Sequence, residues 1–234
     1  MSFLAYTVVQ NDMILLDVWI RYYSRYFDKL HVLAYGTDPK YLVHLDILKK
    51  TRNLDYDYFE DTVKEHPLQA DITINTVREH QRKFLGENEW VLYSNIDEFL
   101  IADPKRFSDL NDIMKNHGGN WIHAVAYDVI QTHDEGPLDY RLPILKQRST
   151  WRKNIHYNKI LLSRVPLDWN AGTHQISGVS DNESKELHNI GLILVHLKHA
   201  DRDSKIRDLG PHVTSNWDQP DTSKEPIPEF IKII

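Results

Sequence analysis

Apolar and polar positions along the first hundred residues alternate between two periods. Phe3 to Val9 is a short apolar run that predicts a buried strand. Beyond it Leu15, Val18, Trp19, Tyr22 and Tyr26 recur at helical spacing, while Asp17, Arg21 and Arg25 fall four apart as a solvent-side charge ladder. Asn11 offers an N-cap with Asp12 in the first turn, so the pattern predicts a helix over 12–27. Lys29 to Tyr35 predicts a second buried strand, closed by the turn residues Gly36-Thr37-Asp38-Pro39. Leu54 to Phe59 predicts a third strand, Asp71 to Leu85 a helix stopped at Gly86, and Trp90 to Tyr93 a fourth strand. Strands that alternate with helices predict an α/β fold with a mainly parallel sheet and helices on both faces.

After residue 100 the pattern loosens. Phe107 to Asn116 reads as a helix ending at Gly118-Gly119, and Trp121 to Ile130 as a longer strand. Residues 131–143 read as a loop, and Lys159 to Val165 and Gly191 to Leu197 as further strands. From Pro211 the prolines 220, 226 and 228 predict an extended tail over 211–234. There is no internal repeat.

Composition narrows the function classes. With 234 residues, 41% of them hydrophobic, the chain has enough apolar side chains for a continuous core. A net charge of −6 excludes a protein that coats nucleic acid by bulk charge. The absence of cysteine excludes a catalytic thiolate, an iron–sulfur cluster and a disulfide framework. No apolar run approaches the ~18 to 20 residues that span a bilayer, so a soluble chain, cytoplasmic or membrane-peripheral, is expected.

In an open parallel sheet ligands bind beyond the carboxyl ends of the strands. That rule singles out Gln10-Asn11-Asp12, Tyr35 to Asp38 and, above all, Asn95-Ile96-Asp97-Glu98. The apolar strand Trp90-Val91-Leu92-Tyr93 runs straight into Asn95 and Asp97, one residue apart and thus on one side of an extended chain. Two oxygen-bearing side chains so placed suit a hard divalent cation, Mn²⁺ or Mg²⁺, beside a pyrophosphate, whose oxygens and waters complete the shell. A polar turn after a strand is the competing reading.

The strand ending in Ile-Asp-Glu-Phe-Leu resembles the metal motif Asp-x-Asp-Glu-Phe of GT-A fold glycosyltransferases, particularly the family 2 and family 92-like groups. The Gln10-Asn11-Asp12 turn before Trp19-Ile20-Arg21-Tyr22-Tyr23 resembles their opening motif. Lys159-Ile160-Leu161, Trp169-Asn170-Ala171-Gly172-Thr173-His174 and Val195-His196 resemble their later landmarks in order, so the likeness covers roughly residues 3–200. It implies one GT-A-like domain over 1–234, with a nucleotide-sugar half at 1–100, an acceptor-side half at 101–210 and the tail beyond. It also implies Asp97 as the metal ligand, His196 on a late strand as a further ligand, and Lys198 facing the diphosphate.

Two departures stand out. The first acid of the motif is Asn95, a tolerated replacement in this reading and a weaker ligand or ribose contact. Tyr35 stands where many members place an acid near the base, and is expected to stack on it. Arg78, Gln81 and Arg82 lie one turn apart on the helix before the metal strand, where GT-A enzymes often border the nucleotide. Between Asp139 and Asp168 lie Arg141, Lys146, Arg148, Arg152, Lys153, Lys159 and Arg164 with no acid, a run suited to a diphosphate or an anionic acceptor.

On the acceptor side Trp169 offers a wall for a sugar ring beside His174, and Asp168 and Asp128 are carboxylates able to take an acceptor proton. Surface carboxylates and a solvated basic face are the rival readings. The histidine pairs His196 with His199 and His123 with His133 raise zinc, but no His-Glu-x-x-His pattern exists. Neither a Gly-x-x-x-x-Gly-Lys nor a Gly-x-Gly-x-x-Gly pattern occurs, which argues against a P-loop NTPase or a dinucleotide oxidoreductase.

The expected activity is metal-dependent, inverting transfer of a sugar from a nucleotide diphosphate-sugar donor to a hydroxyl acceptor on a glycan, lipid or protein. A metal-dependent hydrolase of nucleotide sugars or phosphate esters, and a non-catalytic nucleotide-sugar-binding domain, are the alternatives. The chain is short for the class, which suggests a module of a larger protein or a partner.

Overall fold

The computed structural model describes residues 2–60, 70–170, 176–177, 191–201 and 224–228. The alternating first third becomes β1 (Phe3–Val9), α1 (Met13–Tyr23), β2 (Lys29–Tyr35), α2 (Pro39–Thr51), β3 (Leu54–Phe59), α3 (Ala70–Leu85) and β4 (Trp90–Tyr93). β1 lies between β2 and β4, and β2 pairs with β3, all in parallel. The sheet changes direction of growth between β1 and β4, so a crevice opens beyond their carboxyl ends.

The second half adds β5 (Glu98–Ala102), α4 (Leu110–Asn116), β6 (Trp121–Ile130), β7 (Thr150–Lys153), β8 (Lys159–Ser163), β9 (Leu192–His199) and β10 (Lys224–Pro226). β8 pairs antiparallel with β4 and with the first half of β6. A register shift at Ile122/His123 turns β6, and its second half pairs with β9 in parallel and with β7 antiparallel. β9 in turn carries β5 antiparallel. The mixed α/β architecture with flanking helices is as expected, and the antiparallel strands gather in the C-terminal half.

Boundaries differ where local chemistry decides them. α1 starts at Met13 because the Asp12 carboxylate accepts from the Leu15 amide at 3.0 Å and is itself the N-cap. Asn11, the expected cap, accepts instead from the Asp38 amide at 3.0 Å and ties the turn after β1 to the turn after β2. α2 was not predicted, since it buries only Leu45 and Leu48. Its signal was Asp38-Pro39, a cap followed by proline at the first helical position. β5 and β7 were also missed, being short and directly preceded by polar turns. Of the expected tail, Lys224–Pro226 pairs with β7 and Ile227 is buried, and the rest lies outside the described residues.

Why α1 carries so many aromatic residues is clear from its contacts. Trp19, Tyr22 and Tyr23 are buried, and their polar ends all reach the segment after β4. Trp19 donates to Ser94 Oγ at 2.9 Å, Tyr23 donates to the Glu98 carbonyl at 3.0 Å and accepts from the Leu100 amide at 2.9 Å, and Tyr22 donates to the Leu100 carbonyl at 2.6 Å. Each ring supplies apolar area while its polar tip satisfies a backbone or hydroxyl group. α1 therefore fixes the passage from β4 to β5.

Candidate functional site

That passage, Ser94-Asn95-Ile96-Asp97, is a tight turn at the carboxyl end of β4. Glu98, the first residue of β5, is wholly buried and meets Lys159 Nζ of β8 at 2.5 Å. The same carboxylate accepts from the Asn95 amide N–H at 3.2 Å and from its Nδ2 at 3.1 Å. Asn95 Oδ1 accepts from the Tyr93 hydroxyl at 3.1 Å. Two buried charges are tolerated because they meet each other and both Glu98 oxygens find donors. Asn95 thus organises the turn from within: its amide spans Tyr93 and Glu98.

Asp97 turns the other way, its side chain 19% exposed. Its carbonyl accepts from the Leu197 amide at 2.8 Å, which fastens the turn to β9. His196, opposite Glu98 on β5 and Asp128 on β6, faces Asp97 with Nε2 at 3.5 Å from Oδ2. On its other side Nδ1 meets Asp128 Oδ1 at 2.8 Å. Asp128 is fully buried, and its second oxygen takes Asn154 Nδ2 at 2.7 Å and Arg152 Nη2 at 3.5 Å. The Tyr157 ring lies against the imidazole, centroids 4.6 Å apart.

Burial opposes charge on His196, but the Asp97 carboxylate and the hydrogen bonds to Asp128 and Asp97 outweigh it and push the imidazole up to about 10. Burial likewise would raise the Asp128 carboxyl, and the hydrogen bond and charge of His196, with Asn154, hold it below its usual value. His199 is pushed down to about 4 by burial, against the partial opposition of Asp128.

Asp97 and His196 pass a simple test as ligands. Two atoms that share one ion, each about 2.1 Å from it, stand about 3 to 3.5 Å apart, and these stand 3.5 Å apart. The carboxylate behind Nδ1 is the partner a ligating histidine needs. Among the described residues no group of three or more His, Asp or Glu is arranged to hold a metal ion, so phosphate oxygens or water would have to complete the shell.

The other expected residues are dispersed or withdrawn. Lys159 is spent on Glu98 and does not reach toward a phosphate. Asp128 is sealed from solvent and faces His196. Tyr35 is buried with its ring stacked on Phe59. Arg78 donates to the Trp169 carbonyl and to Asn75, and Gln81 is buried between Ser163 and Leu167. Trp169, the expected sugar wall, is itself buried, donating to the Ile160 carbonyl at 2.8 Å and packing on Tyr93. Asp168 is exposed and pairs with Arg82 at 2.9 Å. Gln10 follows β1 half-buried, Asp12 caps α1, and Lys198 lies half-buried two residues beyond His196. His174 lies outside the described residues.

Five of the seven basic residues of the run are paired with acids. Arg141 pairs with Asp139, Arg148 with Glu135 and Asp201, Arg152 with Asp128, Lys159 with Glu98 and Arg164 with Glu89. The segment holds no acid of its own between Asp139 and Asp168, but folding brings acids to it from elsewhere.

No protein-family model and no curated protein matches the chain. Solved structures similar to it include S. aureus TarS 1–349, at 14% identity and a TM-score of 0.36 over 70% of this chain and 47% of that one. The glycosyltransferase GlyE of Streptococcus pneumoniae TIGR4 is similar at 14% identity and a TM-score of 0.33, over 54% of this chain and 30% of that one. A glycosyltransferase involved in the glycosylation of the major capsid of PBCV-1 is similar at 13% identity and a TM-score of 0.24, over 59% and 55% of the two chains. The chain spans less than half the length of the first two. Among the described residues no helix is long and apolar enough to cross a membrane.

Proposed function

We propose that the chain is a glycosyltransferase that binds a nucleoside diphosphate sugar beside a divalent cation and transfers the sugar to a hydroxyl acceptor with inversion. The observation that carries this reading is the meeting of Asp97 and His196 Nε2, 3.5 Å apart, at the switch point of a parallel sheet. The motif order read from the sequence supports it independently. In this reading residues 1–100 supply the donor half and 101–210 the acceptor half of one unit.

Asp97 and His196 would hold the cation, which when bound supplies positive charge to the departing diphosphate. Asp97 orients its outward oxygen because its backbone is bonded to β9. Glu98 and Lys159 keep the turn rigid from below, and Tyr157 shields the imidazole from one side. Of the three acceptor-side candidates, Asp168 is the described carboxylate open to solvent, and we assign it the acceptor proton.

The test is a titration of uridine and guanosine diphosphate sugars with and without Mn²⁺, followed by product analysis with hydroxyl acceptors. Metal-linked binding and transfer are expected, and Asp97→Ala is expected to abolish the metal-linked part while the protein stays folded. Release of free sugar alone would favour hydrolysis. Metal-linked binding without turnover would favour a binding domain, a reading that Asn95 in place of an acid keeps in view.

A further inference from the structure

Asp128 is a wholly buried carboxylate on the side of His196 away from the crevice, too enclosed to serve as an acceptor base. We propose that Asp128 and Asn154 are positioning residues: they hold a proton on His196 Nδ1 and so leave Nε2 as the atom turned toward Asp97. This rests on the reading of Asp97 and His196 as cation ligands.

The arrangement of donors and acceptors carries the inference. A carboxylate has no proton to give, so the 2.8 Å contact between Asp128 Oδ1 and Nδ1 requires the proton to be on the imidazole. The other oxygen is held by two donors, Asn154 Nδ2 at 2.7 Å and the Arg152 guanidinium at 3.5 Å. Asn154 is fixed in turn, since its Oδ1 accepts from the His156 amide at 3.2 Å and its backbone N–H donates to the Ala126 carbonyl at 2.9 Å. Three segments, β6, β9 and the turn after β7, thus set which imidazole nitrogen faces the crevice.

The same geometry predicts what an amide does at position 128. Asn154 and Arg152 present only N–H groups, so the amide oxygen of an Asp128→Asn side chain must face them and its NH₂ must face His196. When a cation displaces the second proton of His196, Nδ1 then accepts, the remaining proton sits on Nε2, and the imidazole has no lone pair for a cation beside Asp97. Exchanging the partners, in Asp128→Asn with Asn154→Asp, gives the amide NH₂ an acceptor at 154 and returns the amide oxygen to Nδ1.

The test uses the full chain. Imidazole ¹H–¹⁵N correlation spectra of the metal-free protein, recorded at a pH where the imidazole keeps a single proton, report whether that proton is on His196 Nδ1, and titration with Mn²⁺ alone reports affinity. The wild type is expected to show the Nδ1 proton, Asp128→Asn to lose it with about a 10- to 100-fold loss of Mn²⁺ affinity, and the exchange variant to recover both. Retention of the Nδ1 proton in Asp128→Asn, or its loss with unchanged affinity, overturns the inference. Should Asp128→Asn fail to fold, the exchange variant decides against the wild type: a retained Nδ1 proton supports the inference and an absent one overturns it. A wild type that binds no Mn²⁺, alone or with a nucleotide sugar, sinks the proposed function, while the proton location still decides whether Asp128 sets the histidine.

Discussion

Restoring the acid at position 95 is the sharpest perturbation of this site. Motif likeness alone makes Asn95→Asp a repair that preserves or tightens cation binding. The structure says that it damages the turn. Asn95 Nδ2 donates to Glu98 Oε1 at 3.1 Å, and the variant replaces that donor by an oxygen facing a buried carboxylate. Two unit charges 3.1 Å apart repel by about 5 kcal/mol at an effective dielectric constant near 20. Taking up a proton relieves this at a cost, at pH 7, of about 4 kcal/mol for an acid whose free value is near 3.9. Lys159 offsets part of the repulsion, and an acquired proton restores a donor to Glu98, so the loss of stability at pH 7 is about 2 to 4 kcal/mol.

The sign with pH follows. The folded pair binds its proton more tightly than the unfolded chain, so the deficit is small below the free carboxyl value and grows as pH rises above it. At pH 4.5 the protonation cost falls to about 1 kcal/mol. Urea unfolding of wild type and variant at pH 7 and 4.5 measures the two gaps. Equal stability at pH 7, or a gap that ignores pH, would refute the account of Asn95 as a donor to Glu98.

Three further outcomes are expected. Lys159→Met leaves Glu98 buried without its cation and costs about 3 to 5 kcal/mol by denaturant unfolding, much of which Glu98→Gln in the same chain recovers. Trp19→Phe removes the donor to Ser94 Oγ and lowers stability by about 1 to 2 kcal/mol, with the larger loss at the β4–β5 turn visible as faster amide exchange at Asp97 and Glu98. In the metal-free protein the raised His196 contributes stability that is complete below its free value near 6.5 and lost as pH rises through about 10, whereas the depressed His199 contributes stability present above 6.5 and lost as pH falls toward 4. His196→Gln should flatten the alkaline limb of the stability curve and His199→Gln the acid limb, each by more than about 1 kcal/mol.

The parallel half of the fold was legible because β1, β2 and β4 are largely apolar runs, β3 sets aspartates between aromatic residues, and α1 and α3 repeat at one period. Lys29–Tyr35, Leu54–Phe59, Trp90–Tyr93 and Trp121–Ile130 end where the pattern ends them. α2 escaped because its apolar face is two residues wide, and β5 because a four-residue turn separates it from β4. Asp97 stood out by its place after β4, and His196, inside β9, by the likeness of Val195-His196 to a late landmark of the resembled family; the structure brings the two together. Their partners were not, since nothing local links Asp128 to a histidine 68 residues later or to Asn154. The partners of the basic run were hidden for the same reason: charge counted along a chain omits the acids that other strands deliver.

The bend in β6 gives one strand to two pairings, its first half to β8 and its second to β9 and β7. Every link from Asp97 to Asn154 passes through that second half or its neighbours. A chain truncated near residue 100 would still hold all four parallel strands, yet it would carry Asp97 on a turn with nothing across from it. Cation affinity is therefore expected only in a chain that keeps β6, β8 and β9, since β8 couples β4 to β6 and the kink of β6 delivers β9 to the far side of Asp97.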